Sequence, residues 1–304
     1  MMTLDTIRKQ SRERTAERKG LRRDVLAFAH PAYGTGTSPA LPQAATKQDD
    51  MVTRLLSFRS DYYSGSGLKL TSLPETEQEA VRVASLFAPP KVYTSAVADP
   101  QGSGVIFLQQ AASEDSVKNL LGVPFSHATG GTRHATRLPW RYLLFSTHGL
   151  ADTHSGMLSC LALASPTPKS EQDGFLQAQE VMDLELDTDL VMLSACQTGL
   201  GRLRGGEGLV GLSAAFFIAG AESVCASFWK VPTGPTSQLV PEFFKKLKEG
   251  KVSRAEALRQ AQLTVMRNGR SPDGKPADYS SPFSWAAFVL MGEYRTQLED
   301  RVMR

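Results

Sequence analysis

The chain has 304 residues, a net charge of +3 and 21% charged against 41% hydrophobic residues, the balance of a soluble globular protein with room for one large domain or two small ones. That charge is too small to argue for nucleic acid by itself, and no apolar run approaches the roughly 20 residues that span a bilayer. Three widely spaced cysteines make no disulfide framework, and a polar, basic N-terminus without an apolar core is no secretory signal, so a reducing, cytoplasmic setting is expected.

Residues 5–23 are basic with few apolar positions and read as a solvated terminal segment. Asp24 to His30 is the first buried-strand candidate, closed by Pro31. Residues 34–50, rich in Gly, Ser, Pro, Thr and Gln, read as a long loop. Leu73-Pro74-Glu75 opens a helix, with proline at its start and acids in its first turn. Ala80, Val83, Ala84 and Phe87 give that helix one buried face, and Pro89-Pro90 ends it. Lys91 to Thr94 is a short strand. Residues 95–139 hold a strand-like Val105-Ile106-Phe107-Leu108, a helix-like Glu114 to Leu121 and a Gly/Thr/His-rich loop at 127–136; together they read as an insertion or flap near the site.

Residues 140–147 form an apolar strand that runs into His148-Gly149. Met157 to Ala164 is a further strand, 165–174 a turn-rich loop, and Leu176 to Leu184 a short helix. Leu190-Val191-Met192-Leu193 is an unbroken apolar run, long enough for one buried strand and too short for a helix. It stops at Ser194-Ala195-Cys196 and opens into glycines at 199, 201, 205, 206 and 208. Leu209 to Ala219, apolar almost all round, predicts a buried helix capped by Gly220. Ser223 to Phe228 is another central strand, and helices follow near 235–249 and 253–267, the second with Ser253 three residues before Glu256. A Gly/Pro loop over 269–282 leads to Phe283–Met291, read as an edge strand. Strands alternating with helices predict an α/β domain with a mainly parallel sheet.

In such sheets, sites form beyond the carboxyl ends of the strands. If the His148 and Cys196 strands are parallel neighbours, both side chains emerge on one rim, as a thiol nucleophile beside its base. Cys160 and Cys225 lie inside apolar strands and read as small hydrophobes. Cys196 stands at a strand end before a glycine-rich turn, where a helix N-terminus would depress its pKa. His154 is the competing base, but it is borne on a loop, whereas a strand holds His148. A glycine after the histidine lets backbone approach a substrate, so the N–H groups of Gly149 and Cys196 are candidate oxyanion donors. Cys and His occur nowhere at paired ligand spacing, so neither metal nor cofactor is expected. The glycine loop, Gly199-x-Gly201-x-x-x-Gly205, departs from the dinucleotide spacing and lacks a following G-K-[ST].

Ser194-Ala195-Cys196-Gln197, with His148 lying 48 positions upstream, approaches the caspase signature. The match is closer to the CHAT family, caspase-like cysteine peptidases often joined to TPR repeats. The chain resembles that family in Leu73-Pro74 with its acidic helix, Phe145-Ser146-Thr147-His148-Gly149, Leu190 to Gly199, Gly206-Glu207-Gly208-Leu209-Val210-Gly211-Leu212, Ala219-Gly220-Ala221, Ala226-Ser227-Phe228-Trp229-Lys230-Val231 and Trp285-Ala286-Ala287-Phe288. The resemblance covers about residues 70–292 and is most specific around the cysteine. Against the family pattern the chain starts late, which leaves the sheet short of N-terminal edge strands or completed by a partner.

The resemblance implies a caspase-like, mainly parallel central sheet flanked by helices on both faces. It implies a His148–Cys196 dyad, in which thiolate attacks a peptide carbonyl and imidazole protonates the leaving amine and then activates water. Substrate is expected to add as a strand beside Ser227-Phe228-Trp229, with Asp152, Glu207 or Asp173 lining a pocket that favours Arg or Lys. The expected organisation is a basic segment over 1–23, a peptidase domain over 24–294 and a tail over 295–304. The implied role is a regulated effector in prokaryotic antiviral defence or cell death, under a sensor or TPR-type partner. Nucleic acid would be involved only indirectly, and a membrane not at all. The alternatives are a non-catalytic caspase-like scaffold that binds a partner protein and a nucleotide-binding module.

Overall fold

The computed structural model describes residues 22–33, 70–122, 139–151, 156–194, 207–229, 231–271 and 273–294. The basic stretch up to residue 21, the 34–50 and 127–136 loops, Asp152, His154, Cys196 with the glycines up to 206, and the tail lie outside them. The strands are β1 Arg23–Pro31, β2 Lys91–Tyr93, β3 Gly104–Gln109, β4 Trp140–Ser146, β5 His148–Leu150, β6 Cys160–Ala162, β7 Phe175–Gln177, β8 Leu190–Leu193, β9 Ser223–Ser227 and β10 Phe288–Gly292. The helices are α1 Pro74–Ser85, α2 Glu114–Leu121, α3 Ala178–Val181, α4 Glu207–Ala219, α5 Thr233–Glu249, α6 Arg254–Arg267 and α7 Pro282–Trp285.

The longer apolar runs join one seven-stranded sheet in the order β10-β9-β8-β4-β1-β3-β2. Only β10 runs antiparallel. Strands covered on both faces need apolar side chains at every position, which is why these runs do not alternate. Val25, Ala27 and Ala29 point to one core, shared with α1, α5 and α6. Leu26 and Phe28 point to the other, shared with α2, α3 and α4. Phe28 lies between Phe107 and Phe145, its ring centroid 5.4 Å from each, and fixes the middle of the second core. Ser253 caps α6 by accepting from the Glu256 N–H at 3.1 Å, while the Glu256 carboxylate turns to Arg259 rather than back to the cap. Gly220 ends α4 at φ +114°, where a Cβ would stand 2.1 Å from the Leu186 carbonyl oxygen, so no other residue fits.

Five sequence readings change. Residues 104–121 form a strand inserted between β1 and β2 and a helix on the core, where the sequence reads as an insertion or flap. Met157–Ala164 is a 3-10 turn at Gly156–Leu158 followed by the three-residue β6, and 176–184 holds β7 and the four-residue α3 rather than one helix. These pieces are too short for either periodicity to register. The helix α4 is not buried all round: Val210 and Ile218 are 52% and 65% exposed, because a helix lying on one face of a sheet keeps an outer side. The last apolar stretch begins as α7 and becomes strand only at Phe288.

At the amino ends of the strands, Asp189 enters β8 amid three guanidinium groups. Arg22 Nη1 lies 2.5 Å from its Oδ1, Arg141 Nε 3.0 Å from Oδ2, and Arg254 Nη2 4.0 Å from Oδ2. Burial alone would raise the Asp189 pKa, but Arg22, Arg254 and Arg141 outweigh it and hold the carboxyl below its usual range.

Candidate active site

The carboxyl ends of β4 and β8 meet as parallel neighbours, paired from Tyr142 with Leu190 through Phe145 with Leu193, as the sequence predicts. Beyond Ser146 the chain leaves the large sheet at Thr147. It enters a second, antiparallel sheet, β5-β6-β7, in which His148 pairs with Ala162, Gly149 with Leu161 and Leu150 with Cys160. His148 is thereby mounted on strand backbone, and it is 7% exposed.

Two described neighbours touch its ring. Nε2 lies 2.8 Å from the carbonyl oxygen of Thr71, just before α1. A carbonyl only accepts, so Nε2 carries the hydrogen and Nδ1 is the basic nitrogen of the neutral ring. The Tyr33 ring tilts against the imidazole at 5.4 Å. Its hydroxyl accepts from the His148 backbone N–H at 3.4 Å and donates to Ala162 O at 3.2 Å, tying β1's exit to the small sheet. Burial pushes the Tyr33 phenol well above its usual range, so it stays a neutral donor.

His148 forms one wall of a cleft of about 270 Å³. Thr71, Ser72 and Leu73 line it from the segment before α1, Glu75, Thr76 and Glu79 from α1 itself, and Val231, Thr233, Thr236 and Ser237 from the start of α5. Thr147 and Ser194, from the ends of the two central strands, complete it. Glu79 is buried at its floor, 3% exposed. It accepts the Ser146 hydroxyl at 2.6 Å, and no described cation pairs with it. Burial raises its pKa to about 7, with the Ser146 and Ser194 hydroxyls pulling weakly the other way. Ser194 Oγ is near enough to act on that charge but has no aligned hydrogen bond among the described residues.

Cys196 lies outside the described residues, two positions past Ser194. Of the proposed oxyanion donors, Gly149 is buried in β5. Ser227 is buried at the end of β9; the Phe228 N–H donates to Ala287 O at 2.9 Å, and Trp229 Nε1 donates to Phe283 O at 2.9 Å. On that side the segment read as a substrate ledge is tied to α7 and to Ala287, just before β10. Asp152 and the Glu207 side chain lie outside the described residues. Asp173 is no part of the cleft: its Oδ1 accepts from the Phe175 N–H at 2.8 Å, in a loop beside Glu114. There burial, with Glu180 and Asp173 crowding one Lys118 ammonium, pushes the Glu114 carboxyl up. Cys160 and Cys225 are both buried, and burial pushes the Cys225 thiol far up, as befits small hydrophobes. Among the described residues no three His, Cys, Asp or Glu side chains gather as a metal site, and no described helix is long and apolar enough to cross a membrane.

Sequence reasoning missed Thr71, Tyr33 and Glu79. Only Glu79 carried a signal: it stands four residues before Val83, on the apolar face of its helix.

A mainly parallel sheet with helices on both faces, its central strand leading within two residues to a histidine, defines a caspase-like α/β domain. The model of the CHAT domain matches residues 2–293, and the chain belongs to that family. The match begins far ahead of residue 70, where the sequence motifs start. The chain is also 33% identical to mouse tetratricopeptide repeat protein 28 over 117 residues, and 31% identical to the human protein over 121. Those stretches cover 38% and 40% of this chain but only 4% of each relative, so the chain spans a small part of the curated proteins it matches.

Proposed function

We propose that the chain is a cysteine endopeptidase that cleaves protein substrates through a His148–Cys196 dyad and an acyl-thioester intermediate. The observation that carries this reading is the imidazole: strand-borne, its tautomer set by Thr71 O, on a cleft it shares with Ser194. Family resemblance supplies the thiol partner, and β4 and β8, the strands that lead to the two positions, pair in parallel. With Nε2 committed to Thr71, Nδ1 is the atom that takes the thiol proton and returns it to the leaving amine. It then draws a proton from the water that hydrolyses the thioester. Backbone N–H groups of Gly149 and Cys196 are the donors assigned to the oxyanion.

The test is direct. Iodoacetamide should label Cys196 ahead of the buried Cys160 and Cys225. Cys196→Ala should abolish peptide cleavage, and His148→Ala should reduce it by about 10²–10⁴-fold, the range of general acid–base catalysis. Cleavage undiminished in Cys196→Ala ends the proposal.

Family membership also supports regulation by a sensor or TPR-type partner, since the matched relatives are tetratricopeptide repeat proteins. A cytoplasmic effector role in defence or cell death follows from the family resemblance. A second reading, a non-catalytic scaffold that binds a partner protein, draws on the exposed Val210 and Ile218 of α4. It predicts a Cys196 no more reactive than Cys160.

A further inference from the structure

We propose that the cleft beside His148 receives a cationic side chain, a lysine or arginine of the substrate, and that Glu79 is the carboxylate that meets it. The inference deepens the peptidase reading and rests on it for the word substrate; the cation site itself rests on the cleft. Its described walls carry two carboxylates, several hydroxyls and no lysine or arginine. Glu75 and Glu79 stand one turn apart on the same side of α1, the first exposed at the mouth and the second buried at the floor. A long side chain drawn past Glu75 would reach Glu79.

Two buried groups on that path have room for a donor among the described residues. Glu79 has one aligned hydroxyl donor, Ser146, with the Ser194 hydroxyl near it and no described cation, although an ionised buried carboxylate ordinarily has charged donors. Ser194 Oγ, on a residue 7% exposed, has no hydrogen-bond partner among the described residues and lines the same space. An ammonium or guanidinium at the floor satisfies both: it donates to the Glu79 carboxylate with charge assistance and to Ser194 Oγ. The volume, about 270 Å³, falls just below the roughly 300–1,000 Å³ of whole small-molecule sites and suits one long side chain. Ser194 precedes the proposed nucleophile, Cys196, by two positions in the chain. Glu79 thus takes the place that the sequence assigned to Asp152, Glu207 or Asp173.

The first test needs no catalysis. The full chain carrying Cys196→Ala is titrated with n-butylguanidinium, and with neutral n-butylurea as control, while thermal stability and the His148 ring NMR signals are followed. Saturable stabilisation by the guanidinium alone is expected, with at least a tenfold loss of affinity in Glu79→Gln and a two- to threefold loss in Glu75→Gln. Equal responses to the urea, or an unaltered response in Glu79→Gln, overturn the site. If Glu79→Gln does not fold, Ser194→Val, which fills the floor with an apolar branch, carries the same comparison. The second test uses peptides with Lys, Arg, citrulline or norleucine before the scissile bond. A kcat/KM preference for Lys and Arg that collapses in Glu79→Gln is expected. Guanidinium binding without cleavage of any peptide keeps the cation site and removes the peptidase reading. Cleavage indifferent to Lys and Arg, without guanidinium binding, does the reverse.

Discussion

The sheet carries a buried carboxylate at each end, and the two are treated in opposite ways. Asp189, at the amino ends of the strands, is surrounded by Arg22, Arg141 and Arg254 and held ionised. Glu79, at the carboxyl ends, receives one serine hydroxyl, and its pKa rises to about 7. Both are about equally hidden, 2% and 3% exposed, so burial does not separate them. What separates them is whether the chain supplies the counter-charge. Where it does, the carboxylate joins β8 to the segments around it; where it does not, the fold tolerates a destabilising charge beside a cleft, as functional sites commonly do.

The comparison yields predictions of opposite sign. Asp189→Asn should cost most, about 3–5 kcal/mol in urea unfolding, because it strands buried arginines without their anion. A loss under about 1 kcal/mol would mean that Asp187 and Glu222 suffice for them. Glu79→Gln should instead stabilise the fold at pH 8, by about 1–3 kcal/mol, and change little at pH 5. The sign follows from linkage. A carboxyl whose folded pKa is raised from 4.5 to about 7 contributes fully below the lower value and loses that contribution as pH climbs through the upper one. Glu114 is raised too, so the informative quantity is the difference between variant and parent across pH 5–8 rather than either curve alone. Ser146→Ala should cost about 1 kcal/mol, more at pH 8 than at pH 5, since the hydroxyl's role is to donate to ionised Glu79. Ile218→Lys, on the outer side of α4, should move stability by less than about 0.5 kcal/mol; a larger loss would restore the all-round burial that the sequence implies.

Much of this contrast was hidden from the sequence for a physical reason. The strands at 24–30, 105–108, 142–145, 190–193 and 223–227 are legible because double-sided burial leaves continuous apolar runs. The neighbouring placement of the strands before His148 and Cys196 entered the sequence reading as a condition, which the pairing of β4 with β8 meets. The small sheet was not legible, since β5, β6 and β7 have three residues each and no period to read. Thr71 acts through a backbone carbonyl, which any residue would provide, so no side chain announces it. Glu79 was overlooked because an acid on a helix is usually solvated; its spacing to Val83 is the one clue. The strand and helix within 104–121 were legible, but not their place beside β1, which depends on pairing across more than seventy residues of chain.

The switch of sheets at Thr147 has a mechanical corollary. The imidazole rides on the small antiparallel sheet, while the strand leading to the thiol belongs to the large parallel one. Their spacing is thus set by how two separately built platforms abut, with Tyr33 as a strut between them. A shift of one platform against the other would change that distance without unpicking a single strand.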